Sequence, residues 1–294
     1  MAQDIWSEWL LTRRFGGDAT EVQRVLDYLG PIRDRVLRHA ALSDGETLLD
    51  IGCGDGLIAF GALQSTETAR IIFSDISRPL LDHARELATQ MNALTRCEFV
   101  RAGAEDLSPF ADRSVDAVTT RSVLIYVNDK RGAFREFYRV LRPHGRLSIF
   151  EPINRFRYPQ PSHMFWGFDV TPVAEVAAKV KCVFEAIQPP GVDPMLDFDE
   201  RDLLEWAESA GFRDVHLTLE AEVVPLDRVS PEPPGWDAML RIAGNPRIPS
   251  LGEAMERALT PDEREVFVSH LCPLVEAKQG VHASAMAYLW ATKH

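Results

Sequence analysis

The chain has 294 residues, of which 46% are hydrophobic, and this is enough for one large domain or for one and a half. Its formal net charge is −12 and its basic residues form no cluster, which argues against nucleic acid or an anionic membrane as a partner. The four cysteines are scattered, no basic and apolar leader is evident, and no apolar run approaches the ~18 residues of a membrane span. We therefore expect a cytoplasmic protein that holds no metal.

The first 45 residues are expected to form a helical cap before the sheet begins. Apolar residues at helical spacing predict a helix that starts near Ile5 and ends before Gly16. A longer helix with Asp18 as its N-cap follows, and Gly30 and Pro31 are expected to break it in two. The candidate acceptor contacts in this cap are Trp6, Arg13 and Arg14, although a packing helix with solvated arginines explains the same pattern.

A glycine turn follows the first predicted strand. An apolar run reaches Asp50, three glycines occupy alternate positions up to Gly56, and a helical pattern begins at Leu57. Strand, glycine turn and helix begin a nucleotide-binding unit, because glycine lets a ligand approach the backbone. A dinucleotide fingerprint would place its third glycine at position 57, so the spacing disfavours NAD(P). Cys53, within the turn, is interpreted as a small packing residue.

A second carboxylate strengthens the prediction of a ligand site. The buried strand predicted over residues 69–76 ends near Asp75, which follows Gly56 by 19 positions. A carboxylate at this distance, at the carboxyl end of a strand, is placed to accept hydrogen bonds from both ribose hydroxyls. The alternative role for Asp75 is the N-cap of the next helix, but Ser77 suits that role better.

The pattern from Asp50 to Gly56, Asp-x-Gly-x-Gly-x-Gly, resembles motif I of class I S-adenosylmethionine (SAM) methyltransferases. The run from Arg139 to Leu147 resembles the turn before the fifth strand in the ubiquinone-biosynthesis-type enzymes of that class. The resemblance covers about residues 46–152. It implies an α/β fold with a Rossmann-like doubly wound sheet of seven strands, the last one antiparallel. The chain's own helical patterns add N-terminal helices and, where the family has a short connection, a helical insertion before the last strand.

The resemblance also implies SAM as the cofactor and the strand ends as its site. The candidate cofactor-binding residues are Asp50, Gly52, Cys53, Gly54, Gly56, Asp75, Ile76, Ala104, Glu105, Asp106, Arg121 and Ser122. In the family the turn after the third strand holds the adenine, often through an acid, and Asp106 matches that place, although an ordinary charged turn is the alternative. Arg121 would line the methionine end of the cofactor.

Four segments are expected: a cap over 1–45, a SAM-binding core over 46–225 with an acceptor-side loop and helix at 153–190, a helical insertion or lid over 226–280, and a final core strand over 281–294. Aromatic and proline-rich stretches in the loop and the lid indicate walls for an aromatic or apolar small-molecule acceptor. The candidate acceptor contacts are Trp6, Arg13, Arg14, Tyr126, Tyr158, His163, Trp166, Trp236, Met239 and Arg241.

No paired acid and histidine is visible, so the catalytic residues stay unknown, with Tyr126, Glu151 and His163 as weak candidates. We expect in-line methyl transfer that depends mainly on positioning the acceptor and excluding water. The chain is also a candidate homodimer. The alternatives are an NAD(P)-dependent oxidoreductase and a non-catalytic SAM-binding protein, because a fold alone does not fix a function.

Overall fold

The computed structural model describes residues 4–16, 19–189, 191–230 and 232–294, so the predicted N-cap at Asp18 lies outside the described residues. Its strands are β1 (Thr47–Ile51), β2 (Arg70–Asp75), β3 (Cys97–Arg101), β4 (Val115–Arg121), β5 (Leu141–Pro152), β6 (Met164–Phe165), β7 (Phe168–Asp169), β8 (Arg213–Pro225) and β9 (Val281–Thr292). Its α-helices are α1 (Ile5–Leu11), α2 (Ala19–Ala40), α3 (Leu57–Ser65), α4 (Arg78–Gln90), α5 (Lys130–Val140), α6 (Ala174–Ile187), α7 (Glu200–Ala210), α8 (Trp236–Arg241), α9 (Leu251–Ala258) and α10 (Pro261–Glu276).

Seven strands form one sheet in the order β3-β2-β1-β4-β5-β9-β8. Strands β1 to β5 pair in parallel, whereas β9 is antiparallel to both of its neighbours, β5 and β8. The predicted seven-stranded sheet with an antiparallel last strand is therefore confirmed. The strand order reverses between β1 and β4, and in such sheets a ligand binds at the carboxyl ends of the strands beside this point.

Helices cover both faces of the sheet because its central strands are apolar on both sides. Successive strand residues face opposite ways, so Leu48 packs with residues of α3 and α4 whereas Leu49 packs with residues of α5 and α7. Both leucines are completely buried. This two-sided burial is typical of a parallel sheet in a doubly wound fold.

Helix α2 runs without interruption through Gly30 and Pro31, so the predicted break there is wrong. The apolar face of α2 continues across the proline, with Leu29 before it and Ile32 and Val36 after it, all buried against the sheet. Gly30 has no Cβ to clash with the proline ring, which lowers the usual cost of a helical residue before proline. Burial of the continuous face outweighs the hydrogen bond that Pro31 cannot donate.

A second hydrophobic core lies beside the sheet and combines the β6–β7 hairpin with α6, α8, α9 and α10. Phe165, Phe267 and Leu271 at its centre are almost completely buried. The sequence pattern predicted α9 and α10, and the predicted cap of α10 is confirmed because the Thr260 side chain accepts a hydrogen bond from the Glu263 amide. The short hairpin and α8 were not predicted.

Within the described ranges, none of the helices combines the length and the apolar character that a membrane crossing requires. The same ranges contain no cluster of three or more histidine, cysteine or acidic side chains placed to hold a metal ion.

Candidate functional site

The turn between β1 and α3 depends on its three glycines. The φ angles of Gly52, Gly54 and Gly56 are 64°, 56° and 88°, in the left-handed region that a residue with a Cβ rarely adopts. A Cβ on Gly52 would also lie 2.5 Å from Cγ2 of Val123, in the segment that follows β4. Cys53, between two of the glycines, is buried, and burial raises the pKa of its thiol. Its thiol is therefore protonated and packs as a small apolar group.

Asp75 fixes the turn to the end of β2. Its Oδ2 accepts a hydrogen bond from the Gly54 amide at 2.9 Å, and its Oδ1 accepts one from the Ser77 amide at 2.8 Å. Ser77 caps α4 by accepting from the Leu80 amide, so the cap role belongs to Ser77 as the sequence indicated. Each carboxylate oxygen of Asp75 keeps a lone pair for a further donor.

Two buried acid oxygens beside the turn have no hydrogen-bond partner. Asp50 accepts a hydrogen bond from the Thr119 hydroxyl through Oδ1 at 2.8 Å, but its Oδ2 is unpartnered, as is Oδ1 of Asp55. Burial raises the pKa of Asp50 to about 7. Buried acceptors of this kind are costly unless a ligand supplies donors or positive charge. The turn thus fits a ligand that carries hydroxyl or ammonium donors.

The turn after β3 offers a surface next to these acids. Ile76 is 47% exposed, and a Cβ on Gly103 would lie 3.0 Å from its Cγ2. Ala104 is buried. The Glu105 carboxylate accepts hydrogen bonds from the amides of residues 128 and 129, at 2.7 and 2.6 Å, and so ties this turn to the start of α5. Asp106 remains exposed, and it accepts from the amide of residue 108 at 3.0 Å.

Glu151, near the end of β5, holds the segment that follows β4. Its carboxylate is fully buried and accepts hydrogen bonds from the amides of Val123, Leu124 and Ile125, at 2.8, 2.9 and 3.4 Å. Burial raises the pKa of Glu151 to about 7. The three amides occupy both carboxylate oxygens, which is the arrangement of an anchor for the backbone. Its catalytic role stays a prediction.

Helix α1 lies over the glycine turn and reaches the segment after β4. A Cβ on Gly54 would lie 2.8 Å from Cδ2 of Leu10, so the leucine rests directly on the turn. The rings of Trp6 and Tyr126 meet edge to face at 4.9 Å. Burial raises the pKa of the Tyr126 phenol, which is therefore neutral. The predicted contact residue Trp6 thus belongs to a cover over the strand ends.

The chain around α1 also binds the segment before α9. Trp9 Nε1 donates a hydrogen bond to the Ala243 carbonyl at 2.7 Å, and the Ala243 amide donates to the Arg13 carbonyl at 3.2 Å. The Arg13 guanidinium forms an ion pair with Glu253 at 2.5 Å. Two parts of the chain that are distant in sequence therefore form one continuous cover.

A cavity of about 680 Å³ extends from the end of β4 along β9 and beneath the second core. Its walls are mainly aromatic and aliphatic, with contributions from Phe165, Phe168 and Phe184. The predicted site residues on its walls are Arg14, Arg121, Ser122, Tyr158, Trp166 and Met239. Among the described residues, those predicted for the acceptor that lie outside its walls are Trp6, Arg13, Tyr126, His163, Trp236 and Arg241.

The residues outside the walls have other environments. Trp236 is buried within the second core, whereas His163 and Arg241 are exposed. Sequence reasoning missed several polar residues on the walls, among them Arg157 and Ser284. Arg157 stands in the aromatic loop that the sequence singled out, but Ser284 carries no local signal because it is one small residue in an apolar strand.

Comparison with known proteins agrees with this geometry. Residues 49–149 match a family described as a methyltransferase domain. The ubiquinone/menaquinone biosynthesis C-methyltransferase UbiE of Klebsiella pneumoniae is 33% identical over 193 residues, which cover 63% of this chain and 73% of that protein. UbiE of Escherichia coli matches over the same shares with the same identity.

A solved structure of similar fold is phosphoethanolamine N-methyltransferase 2 of Haemonchus contortus in complex with SAM, with a TM-score of 0.52 and 17% identity. The match covers 98% of this chain and 56% of that one. At this identity the likeness concerns the fold alone. Together with the extended identity to UbiE, these findings show that the chain belongs to the class I SAM-dependent methyltransferases of the ubiquinone-biosynthesis type.

Proposed function

We propose that the chain transfers a methyl group from SAM to an electron-rich carbon of an apolar small molecule that the cavity holds. The observation that carries this proposal is the position of the cavity, which meets the end of β4 at Arg121 and Ser122, beside the glycine turn. Its volume lies within the range of small-molecule sites, and its walls are apolar. An acceptor bound there would have its reacting end next to the cofactor.

The residues of the turn fit SAM by their chemistry. Asp75 has lone pairs left for the ribose hydroxyls, and the unpartnered oxygens of Asp50 and Asp55 suit its positive charge and its ammonium donors. The exposed side chain of Ile76 and the nearby Asp106 suit the adenine ring and its amino group. When bound, SAM would supply an electrophilic methyl group on a sulfonium, which an electron-rich atom can attack in line while S-adenosylhomocysteine leaves.

Carbon methylation agrees with the ionisable groups at the end of β4. The Tyr126 phenol has a raised pKa, and the Glu151 carboxylate is occupied by three backbone amides. A protonated hydroxyl or amine acceptor would need a base. An electron-rich ring carbon attacks before it loses its proton, and the UbiE relatives are named as C-methyltransferases. The protein is then expected to contribute placement and exclusion of water.

The cover over the site supports a lid role for residues 226–280 together with the cap at 1–45. The contacts of Trp9 and Arg13 with Ala243 and Glu253 join the two segments above the strand ends. A joined cover of this kind would exclude water from the transferred methyl group. The division of the chain into cap, core, lid and final strand is part of this proposal.

The partners and the location of the chain are also proposals. The net charge of −12 favours a small molecule over nucleic acid, whose phosphates an acidic chain repels. A homodimer would appear as twice the mass of 33.0 kDa in light scattering of the purified protein. Fractionation of the producing cells tests the expected cytoplasmic location.

The test of the proposed function uses SAM with an isotopically labelled methyl group and a panel of naphthoquinols and phenols, each with and without a carboxylate group. Mass spectrometry and NMR of the products should find the label on a ring carbon. Met239→Trp, which fills the cavity, should abolish turnover while binding of S-adenosylhomocysteine stays unchanged, and Asp237→Asn, exposed on the same helix, should behave as wild type. Label on oxygen alone, or full turnover by Met239→Trp, would contradict the proposal.

A further inference from the structure

The walls of the cavity carry more positive than negative charge. Within the described part of the chain, Glu185 is the one carboxylate on the walls, against the guanidinium groups of Arg14, Arg121 and Arg157 and the ammonium groups of Lys181 and Lys278. Lys278 forms an ion pair with a glutamate outside the cavity. Arg14 lies near the carboxylate of Asp55 and Arg121 near that of Asp50, whereas among the described residues no carboxylate lies within 4.0 Å of the Arg157 guanidinium. Arg157 thus leaves a positive charge on a mainly apolar wall, which favours an anionic ligand.

One of these cations is placed on the wall by the sheet. The short 3-10 helix Asn154–Phe156 follows β5, and it is fixed to β9 because the Ile153 amide donates to the Ala285 carbonyl at 2.8 Å. Arg157 comes directly after this turn. Arg157 and His282 on β9 both line the cavity, and the pKa of His282 is lowered by burial and by the charge of Arg157. The turn therefore brings Arg157 beside the segment of β9 that lines the cavity.

Two polar atoms on this wall are buried without a hydrogen-bond partner. They are Nε of Arg157 and Oγ of Ser284, and both residues line the cavity. Buried polar atoms in native proteins are nearly always partnered by protein groups or by water, so these two exceptions among the residues that line the cavity point to a group that is absent from the protein itself. A guanidinium N–H can only donate and a hydroxyl can also donate, so the missing group is an acceptor.

We propose that Arg157 and Ser284 bind a carboxylate on the methyl acceptor, so that the substrates are apolar carboxylic acids. The inference rests on the proposed role of the cavity as the acceptor site. A carboxylate accepts hydrogen bonds at two oxygens, matches a guanidinium in charge and planarity, and makes stronger hydrogen bonds than a neutral group. The aromatic walls bind the apolar body, while the carboxylate on Arg157 fixes which end of the molecule faces Arg121. The carboxylate contact therefore sets the orientation of the acceptor in the cavity as well as adding to its affinity.

The test compares two probes of the same shape that differ in charge, 2-naphthoate and 2-naphthamide. Both are titrated calorimetrically into the full chain saturated with S-adenosylhomocysteine. We expect the wild type to bind naphthoate at least tenfold more tightly than naphthamide. Arg157→Met should reduce this preference to twofold or less, Arg157→Lys should restore part of it, and Ser284→Ala should weaken naphthoate binding severalfold.

The matched control is Arg155→Met, because Arg155 stands in the short helix that directly precedes Arg157 but is exposed to solvent and outside the cavity walls. It should leave both affinities unchanged, and unchanged S-adenosylhomocysteine binding by every variant shows that the fold is intact. Equal binding of the two probes, absence of binding, or a preference that survives Arg157→Met overturns the carboxylate site. If Met239→Trp still abolishes the binding of both probes, the cavity remains the acceptor site and only the carboxylate assignment fails.

Discussion

Replacing Glu151 by alanine would leave three buried amides without an acceptor. In the native chain they donate to its carboxylate at 2.8, 2.9 and 3.4 Å, and its side chain has no exposed surface. Hydrogen bonds to a charged group contribute about 1.5–3 kcal/mol each, and two of the three are short. We therefore expect Glu151→Ala to lower the free energy of unfolding by about 3–6 kcal/mol. Glu151→Gln keeps one acceptor oxygen and should cost about 1–2 kcal/mol.

The assay is urea unfolding followed by tryptophan fluorescence at pH 8, where the carboxylate of the native chain is mostly ionised. Glu86→Gln is the matched control, since Glu86 is exposed on α4, and its unfolding midpoint should equal that of the wild type. S-adenosylhomocysteine binding gives a second measurement, because the segment that Glu151 holds adjoins Gly52. Equal destabilisation by the alanine and glutamine variants would refute the role of Glu151 as a backbone acceptor.

Three further predictions concern stability and the turn. Burial raises the pKa values of Asp50 and Glu151 to about 7, above their ordinary values of 3.8 and 4.5. Between the ordinary and the raised pKa values the folded chain holds more protons than the unfolded chain, so the free energy of unfolding should fall as the pH rises from about 4.5 to 7. Urea denaturation at several pH values measures this trend, and a free energy that rises across the range would contradict the raised pKa values. Lys130→Met removes a buried ammonium that donates to Asp197 at 2.6 Å, and calorimetry should record a loss of about 1–3 kcal/mol rather than no change. Gly56→Ala places a residue with a Cβ at a φ of 88°, and that Cβ would lie 2.5 Å from Cε2 of Phe60. The affinity for S-adenosylhomocysteine should therefore fall at least tenfold, whereas an unchanged affinity would show that the turn tolerates a side chain.

Local features of the sequence were sufficient to predict the glycine turn, the position of Asp75 at the end of β2 and the cap at Ser77. The turn and the cap depend on residues close together in the chain, where a required backbone angle or a single hydrogen bond selects the residue type. The prediction of a helix break at Pro31 was wrong because it depended on a local preference alone. Burial of the helix face against the sheet outweighs that preference. The resemblance to a known family, rather than periodicity, placed the last strand inside the sheet.

The polar contacts between distant segments could not be predicted from the sequence. Glu151 reaches the amides after β4 only because β4 and β5 pair in register, with Arg121 opposite Phe150. Arg157 and Ser284 share a wall only because β5 and β9 pair and the turn after β5 is bonded to β9. These relations arise from strand order, and a single sequence without the sheet gives no signal for them.

The central claim is that the glycine turn and Asp75, at the end of β2, bind the cofactor of a methyltransferase. Calorimetric titration with S-adenosylhomocysteine tests it most directly, with NAD as the competing ligand and Glu86→Ala as a control on the exposed face of α4. Asp75→Ala removes two charged acceptors for the ribose hydroxyls and leaves the Gly54 amide without its acceptor. At about 1.5–3 kcal/mol for each of the two ribose hydrogen bonds, the affinity of this variant for S-adenosylhomocysteine should fall at least a hundredfold. We expect the wild type to bind S-adenosylhomocysteine and not NAD. Binding of NAD instead, or full affinity in Asp75→Ala, would contradict the account.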